Sequence, residues 1–105
     1  MDKVINALKS FRDERNWSQF HSPKNLANSI IIEAAELLEN FQWEHQKEDR
    51  KNIEEELADI MSYCLLLCEK YGFDPEEIIL KKIEQNKKKY PKDKAYGKAD
   101  KYHKL

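Results

Sequence analysis

Glycine and proline are scarce in this sequence, whose 105 residues include two glycines and three prolines. So little glycine disfavours a β-sandwich and the glycine-rich loops that bind nucleotide phosphates, and no Walker-type or Rossmann-type pattern is present. Long apolar runs are also missing, because none approaches the roughly 20 residues of a membrane span. The N-terminal segment likewise lacks the uninterrupted apolar stretch of a signal peptide.

Cysteine occurs only as Cys64 and Cys68, four residues apart in an apolar helical run. That spacing is typical of small core residues in a reduced protein, and we therefore expect a cytoplasmic location. A metal site built on the two cysteines is disfavoured, because no further ligands lie near them in the sequence.

Lysine, glutamate, leucine and isoleucine dominate the composition, which predicts an all-α bundle of about four helices. Ser22 before Pro23 and Asp74 before Pro75 are typical helix starts, and Gly72 is typical of the residue after a helix end. The predicted helices are residues 2–15, 23–44, 48–71 and 75–90.

The chain length predicts a single domain that spans residues 1–105. Residues 91–105 show no helical periodicity, and we expect them to form a C-terminal tail or arm. A core of this size is small, so oligomerisation is a reasonable expectation.

Charge is distributed unevenly along the chain, although the net charge is only −1. Residues 1–80 hold 9 Lys/Arg and 17 Asp/Glu, a net charge of −8. Residues 81–105 hold 10 Lys and 3 Asp/Glu, a net charge of +7. The lysine-rich end is consistent either with a solvated tail or with a segment that binds phosphate groups.

Four acidic residues interrupt the apolar faces of the second and third predicted helices. They form two pairs with the same three-residue spacing: Glu33 with Glu36, and Glu56 with Asp59. Their same-face neighbours are mainly apolar, namely Leu26, Ile30 and Leu37 on one helix and Ile53, Ile60 and Tyr63 on the other. Adjacent antiparallel helices would pack these faces together and bring the four carboxylates into one cluster.

Four carboxylates in a partly dry site repel one another unless they take up protons, pair with bases or bind a cation. No lysine or arginine lies near them on those faces. Oxygen-only ligands favour Mg²⁺, with Mn²⁺ also suitable, and Mg²⁺ held by carboxylates usually serves phosphate chemistry. The alternative is that the acids lie at the edges of the apolar faces and extend into solvent.

Two further groups of residues could contact a nucleotide. Lys82, Asn86 and Lys89 share one face of the fourth predicted helix, where they could bind phosphate oxygens or simply be solvated. Aromatic and imidazole side chains near helix ends could stack on a base or fill the core. These side chains are Trp17, Phe20, His21 and Trp43.

The acid pairs resemble the ExxE…ExxD signature of the all-α NTP pyrophosphohydrolases, the MazG-like family. Nineteen residues separate Glu36 from Glu56, and four more segments resemble the dCTP pyrophosphatase branch of this family. These segments are NWSQFHSPKNL, EAAELLENFQW, EEELADIMSY and KKIEQNKKKYP. The resemblance covers residues 5–102 and is strong because the four blocks are collinear.

This resemblance implies a Mg²⁺-dependent enzyme that cleaves a nucleoside triphosphate, dCTP or a related or modified dNTP, between the α and β phosphates. The products would be a nucleoside monophosphate and pyrophosphate. Because no well-placed serine or cysteine accompanies a base in the sequence, we expect the nucleophile to be a water activated by the metal. The expected role is house-cleaning or control of the dNTP pool. The resemblance also implies a dimer or a dimer of dimers, with active sites at subunit contacts.

Site residues follow from the same resemblance, position by position. The metal ligands and catalytic acids would be Glu33, Glu36, Glu56 and Asp59, with Glu36 or Glu33 also orienting the water. Base and sugar would contact Trp17, His21, Trp43 and Tyr63. The phosphates would contact Lys82, Asn86, Lys89 and Tyr90, from a neighbouring subunit.

Two departures from the family bear on specificity. Leu8 replaces a histidine of the mammalian members, which removes a polar contact to the nucleotide and implies a looser preference for dCTP. The loop EHQKEDRKN is shorter than in the mammalian members, which would open the site.

Two other classes compete with the enzyme: a non-catalytic, metal-binding helical interaction module, and a nucleic-acid-binding module that uses the lysines of residues 81–105. The acidic remainder of the chain disfavours the second.

Overall fold

The computed structural model describes residues 1–104, apart from the side chain of Tyr102. This part of the chain contains four long helices and no β-strand, which confirms the predicted all-α class. The long helices are α1 (Asp2–Glu14), α2 (Pro23–Glu39), α3 (Arg50–Tyr71) and α4 (Pro75–Lys89). A short helix, α5 (Lys92–Ala95), and single 3₁₀ turns at Ser18–Phe20 and Tyr102–Lys104 complete it. No helix in the described residues is both long enough and apolar enough to cross a membrane.

Side-chain caps begin two of the helices where the sequence predicts them. The Ser22 hydroxyl accepts a hydrogen bond from the backbone N–H of Asn25 at 3.1 Å, at the start of α2. The Asp74 carboxylate accepts one from the N–H of Glu77 at 3.2 Å, at the start of α4. Each cap is followed by a proline, whose fixed φ suits the first helical turn. Both predicted starts are confirmed.

Gly72 ends α3 in the left-handed region, with φ 69°. The backbone N–H of Phe73 then donates to the carbonyl of Cys68 at 2.9 Å, so the chain closes the last turn of the helix. A residue with a Cβ would be strained in this conformation, which explains the glycine.

The second helix ends earlier than the sequence predicts: α2 stops at Glu39, not at Glu44. In a continuing helix the N–H of Trp43 would donate to the carbonyl of Glu39. Gln46 instead bonds to both of these groups. Its side-chain N–H donates to the Glu39 carbonyl at 3.1 Å, and its side-chain carbonyl accepts from the Trp43 N–H at 3.2 Å.

The helix has already tightened before this point, because the N–H groups of Asn40 and Phe41 donate to the carbonyls of Leu37 at 3.1 Å and Leu38 at 2.9 Å. Gln46 then pairs with the groups that a longer helix would use.

Two smaller differences concern the start of α3 and the C-terminal segment. α3 begins at Arg50 and not at Glu48, because the carboxylate of Asp49 caps it by accepting from the N–H of Asn52 at 3.1 Å. Within the expected tail the structure has the helix α5, which is too short to produce a periodic pattern in the sequence.

The chain forms two compact units, residues 1–73 and residues 74 onward. The first unit contains α1, α2 and α3, and the second contains α4 and α5. A single domain over residues 1–105 stays a prediction.

In the first unit α2 packs along α3, and α1 packs on α3 over a shorter stretch. The two longer helices are antiparallel, because Asn40 at the end of α2 bonds to Asn52 in the first turn of α3. Among the described apolar residues of this unit, only Leu26, Leu65 and Leu66 are buried. The core is therefore small, and it lies where the start of α2 meets the second half of α3.

A buried ion pair joins α1 to α3. Arg12 is 7% exposed, and its guanidinium donates to the carboxylate of Glu69 at 2.9 Å and to that of Asp13 at 2.8 Å. These carboxylates keep the guanidinium charged and raise the pKa of Arg12 above its usual value. The pair ties the helix that carries Arg12 to the longest helix of the unit.

We predict that Arg12→Ala lowers the free energy of unfolding by about 2 kcal/mol, because it leaves a partly buried carboxylate without its partner. Urea denaturation followed by circular dichroism measures the change.

The matched control is Arg15→Ala on the same helix. Arg15 lies over the Phe11 ring at 3.8 Å and its side chain is 43% exposed, so its loss should change stability by less than about 1 kcal/mol. Equal losses for the two variants would contradict a structural role for the buried pair.

Candidate active site

Three carboxylates from α2 and α3 form a compact cluster in the first unit. One oxygen from each of Glu33, Glu56 and Asp59 lies within 4.8 Å of the other two. Glu56 and Asp59 share a face of α3 because residues three apart are neighbours on a helix, and Glu33 approaches from α2. Glu33 and Glu56 are half-buried and Asp59 is exposed. We call these three residues the acidic cluster.

The acidic cluster is electrostatically strained. Burial, together with the neighbouring carboxylates of Glu56 and Glu36, raises the pKa of Glu33 to about 7. One carboxylate oxygen of Glu56, Oε2, is buried with no hydrogen-bond partner in the described part of the chain. A buried acceptor without a partner is costly, so the arrangement favours a ligand that brings positive charge.

A divalent cation fits the donor set of the acidic cluster. All the donors are carboxylate oxygens, which Mg²⁺ and Mn²⁺ prefer. Oxygens bound to Mg²⁺ at roughly 2.0–2.1 Å lie at most about 4.2 Å apart, so small side-chain movements would suffice. The unpartnered Glu56 oxygen would gain the partner that it lacks.

Glu36 lies beside the acidic cluster but outside its closest group. Its negative charge contributes to the raised pKa of Glu33, and its own side chain is exposed. Glu36 and Glu56 also line a polar pocket of about 400 Å³ with Glu39, Asn40, Gln46 and Asn52. The structure therefore brings three of the four predicted acids into one group and sets the fourth at its edge.

A second pocket, of about 250 Å³, lies on the other side of the acidic cluster and is largely apolar and aromatic. We call it the aromatic pocket. It contains three of the residues expected to contact base and sugar, and Asp59 forms part of its wall. Its lining residues are Leu8, Phe11, Arg12, Trp17, His21, Asp59, Ser62, Tyr63 and Leu66.

His21 is kept neutral by its surroundings in the aromatic pocket. Burial lowers the pKa of His21, and the positive charges of Arg12 and Lys70 lower it further. Nδ1 of His21 is buried with no hydrogen-bond partner among residues 1–104. A neutral imidazole with an unsatisfied nitrogen can hydrogen bond to a polar ligand.

Tyr63 connects the aromatic pocket to the acidic cluster. Burial raises the pKa of its phenol, and the negative charges of Glu33, Asp59 and Glu36 raise it further. The hydroxyl therefore stays protonated at neutral pH and can donate a hydrogen bond.

The other predicted contact residues lie elsewhere. Trp43 is in the loop after α2, is 68% exposed, and lines neither pocket. Lys82, Asn86 and Lys89 are on α4 and Tyr90 caps that helix, all in the second unit. Contact between these residues and a substrate stays a prediction.

Sequence reasoning missed Arg12 and Ser62, which line the aromatic pocket. Arg12 follows Ile5 and Leu8 at helical spacing, so it interrupts an apolar face in the same way as Glu33 does on α2. That interruption could have identified it. Ser62 carries no comparable signal, because a serine is common on any helix surface.

The model of the MazG-like family matches residues 28–105. The chain belongs to the MazG-like family. Its residues 28–105 include the complete acidic cluster, so the family match confirms the resemblance that the spacing of the acids indicates.

Individual relatives of this MazG-like chain include two mammalian enzymes. It is 36% identical to dCTP pyrophosphatase 1 of Bos taurus over 101 residues, which covers 88% of this chain and 60% of the bovine protein. It is 34% identical to dCTP pyrophosphatase 1 of Homo sapiens over 104 residues, which covers 90% of this chain and 61% of the human protein. The chain thus spans about three fifths of the length of these curated relatives.

A solved structure resembles this MazG-like chain over most of both molecules. It is a pyrophosphatase from Archaeoglobus fulgidus DSM 4304, 42% identical, with a TM-score of 0.81. The match covers 87% of this chain and 92% of the archaeal chain. The fold is therefore shared with a pyrophosphatase of nearly the same extent.

We predict that Glu56→Gln weakens Mg²⁺ binding at least about tenfold, because it removes a charged ligand with a buried oxygen. The Mg²⁺-dependent rise in melting temperature should fall accordingly. In the absence of metal the variant should melt no lower than the wild type, since it has lost a repulsive charge. Isothermal titration calorimetry and differential scanning fluorimetry measure both effects.

Glu55→Gln is the control, because Glu55 is the adjacent residue on α3 and is exposed outside the acidic cluster. It removes the same charge from the same helix and should leave Mg²⁺ affinity nearly unchanged. Similar losses in the two variants would mean that net charge, and not coordination by Glu56, determines binding.

Proposed function

We propose that this chain is a divalent-cation-dependent nucleotide pyrophosphohydrolase. It hydrolyses a nucleoside triphosphate between the α and β phosphates to a nucleoside monophosphate and pyrophosphate. The observation that carries the proposal is the acidic cluster beside the aromatic pocket, in a chain of the MazG-like family. The names of the relatives, dCTP pyrophosphatase 1 and a pyrophosphatase, support the reaction class.

The proposed reaction is an attack of water on the α-phosphorus. The new bond joins the water oxygen to phosphorus, the bond from phosphorus to the α,β-bridging oxygen breaks, and pyrophosphate leaves with that oxygen. A bound Mg²⁺ would supply neutralisation of phosphate charge and acidification of water. Glu33, Glu56 and Asp59 would hold the cation.

Glu36 is the residue best suited to orient the attacking water and accept its proton. It lies next to Glu33 but outside the closest group of carboxylates, and its side chain is exposed. A carboxylate in this position is within reach of the site and is not required as one of the three clustered ligands. A general base of this kind contributes about 10²–10⁴-fold to a rate.

The aromatic pocket suits a single nucleobase with part of its sugar. Its volume of about 250 Å³ lies just below the roughly 300–1,000 Å³ range of small-molecule sites. Trp17 offers a ring for stacking, whereas His21 and Tyr63 offer hydrogen bonds. Leu8 makes one wall apolar, so a 5-substituted pyrimidine would be tolerated there. The proposed substrates are dCTP and related or modified dNTPs.

A dimer or a dimer of dimers would complete the site. Large apolar side chains are exposed on the outer surfaces of α2 and α3, with Ile31 and Leu38 each 67% exposed and Met61 57% exposed. Exposed apolar surface of this kind is typical of subunit interfaces. In such an assembly the substrate of a neighbouring subunit would be contacted from this chain. Its phosphates would contact Lys82, Asn86, Lys89 and Tyr90, and the base of that substrate would contact Trp43.

The proposed setting is the cytoplasm, where Cys64 and Cys68 would stay in the free form that they have in the structure. The proposed role is removal of modified dNTPs or control of the dNTP pool. The competing hypothesis is a helical interaction module whose acids bind a structural cation without catalysis. Release of pyrophosphate from nucleotides distinguishes the two.

We predict that the chain with Mg²⁺ releases pyrophosphate from at least one member of a panel of dNTPs, NTPs and 5-substituted dCTP analogues. Glu36→Gln should lower kcat by at least about 100-fold, since the water would lose its proton acceptor. A coupled assay for pyrophosphate measures both the release by the wild type and the kcat of the Glu36→Gln variant. Glu55→Gln should retain wild-type turnover. Near wild-type turnover by Glu36→Gln would remove Glu36 from the mechanism, and no release from any nucleotide would favour the interaction module.

We predict that the wild-type chain has twice or four times the 12.6 kDa mass of one chain in solution. Leu57→Asp should produce monomers, because it puts a charge on an exposed apolar face of α3, where Leu57 is 43% exposed. Size-exclusion chromatography with light scattering gives the masses. Lys51→Asp, an exposed polar position on the same helix, is the control and should assemble normally. A monomeric wild type would refute the proposed assembly.

A further inference from the structure

Asn40 is one of two polar residues that are buried in the described part of the chain, the other being Arg12. It caps the C-terminus of α2 and is 9% exposed. Its side-chain N–H₂ group donates to the carbonyl of Leu37 at 3.2 Å and to the side-chain carbonyl of Asn52 at 2.9 Å. A buried amide with two satisfied hydrogen bonds fixes the groups that it joins.

The Asn40–Asn52 hydrogen bond lies one helical turn from the acids on both helices. Asn40 follows Glu36 by four residues on α2, and Asn52 precedes Glu56 by four residues on α3. Four residues correspond to about 6 Å along a helix axis and return to the same face. All four side chains line the polar pocket.

Apolar packing is weaker at this end of the helix pair than at the other. The buried leucines are Leu26, near the start of α2, and Leu65 and Leu66, in the second half of α3. Because the helices are antiparallel, these leucines lie together at one end, beyond the acidic cluster. At the other end Leu37 and Ile53 are only half-buried.

Between the two ends of the helix pair, the negative charges of the acidic cluster push α2 and α3 apart. Glu33, Glu56 and Asp59 lie within 4.8 Å of one another, and Glu36 adds a further negative charge beside them. A neutral hydrogen bond between side chains opposes this separation without adding charge to the site. It also sets the axial register of α2 against α3, on which the distance from Glu33 to Glu56 depends.

We infer that Asn40 and Asn52 are a positioning pair that holds the carboxylates of α2 and α3 at the separation a divalent cation requires. This inference rests on the cation binding that the proposed function assigns to the acidic cluster. The two asparagines act on Glu33 and Glu56 through the register of α2 against α3, and they need not touch the cation or the nucleotide.

The test is a double-mutant cycle on the full chain with Asn40→Ala, Asn52→Ala and the double variant. The Mg²⁺ dissociation constant, measured by isothermal titration calorimetry without nucleotide, should rise about tenfold in each single variant, as is typical when a residue that orients a ligand is removed. Because both substitutions break the same hydrogen bond, the double variant should match the single variants within about twofold.

A second readout separates positioning from catalysis. The Mg²⁺ concentration for half-maximal pyrophosphate release should rise with the dissociation constant, whereas kcat at saturating Mg²⁺ should change by less than about threefold. If the wild type binds Mg²⁺ but releases no pyrophosphate, the proposed function fails and the calorimetric cycle still decides the role of the asparagines.

Asp74→Ala controls for general loss of stability. It removes a cap hydrogen bond of 3.2 Å in the second unit, so it should lower the melting temperature and leave the Mg²⁺ dissociation constant unchanged. Asparagine variants that melt lower but bind Mg²⁺ like the wild type would overturn the inference, as would losses that multiply in the double variant.

A variant that fails to fold does not end the test. Asn52→Ala leaves the hydrogen bond from Asn40 to the Leu37 carbonyl in place, and Asn52 is only half-buried. The Asn52→Ala variant can therefore be compared alone with the Asp74→Ala control. Its Mg²⁺ dissociation constant should still rise about tenfold.

Discussion

Repulsion among carboxylates held between two helices is the constraint on which the rest of this structure depends. One carboxylate oxygen from each of Glu33, Glu56 and Asp59 lies within 4.8 Å of the other two, and burial makes the charge of Glu33 more costly than it would be in water. α2 and α3 must therefore be held together by contacts outside the acidic cluster. Buried leucines do this at one end, and the hydrogen bond between Asn40 and Asn52 does so at the other.

The position of the acidic cluster between two different pockets gives it a chemical context. Asp59 forms part of the aromatic pocket, whereas Glu56 forms part of the polar pocket. An apolar cavity with a few polar groups suits a base, and a cation site suits phosphates. Under the proposed function a nucleotide would thus extend from the aromatic pocket to the acidic cluster, with its polar end towards the carboxylates.

Local interactions were predictable from the sequence, whereas most interactions between distant residues, apart from the approach of Glu33 to Glu56 and Asp59, were not. The starts of α2 and α4 follow from Ser22 and Asp74, because a cap involves only residues three apart. The end of α2 was not predictable, because the Glu39 carbonyl is paired by Gln46, seven residues away in the following loop. The acids and Arg12 are visible as charges on apolar faces. Asn40 and Asn52 are not, because a neutral amide near a helix end is common and its partner depends on the fold.

The size of the core limits what one chain can do alone. In the first unit three leucines are the only buried apolar side chains, while several large ones, such as Leu38 and Met61, are more than half exposed. A domain that buries so little apolar surface is only marginally stable, yet an acidic cluster needs a rigid scaffold to keep its geometry. Covering the outer faces of α2 and α3 would add apolar burial to the same two helices that carry the acids. Assembly and cation binding would then reinforce each other, because each favours the same arrangement of these helices.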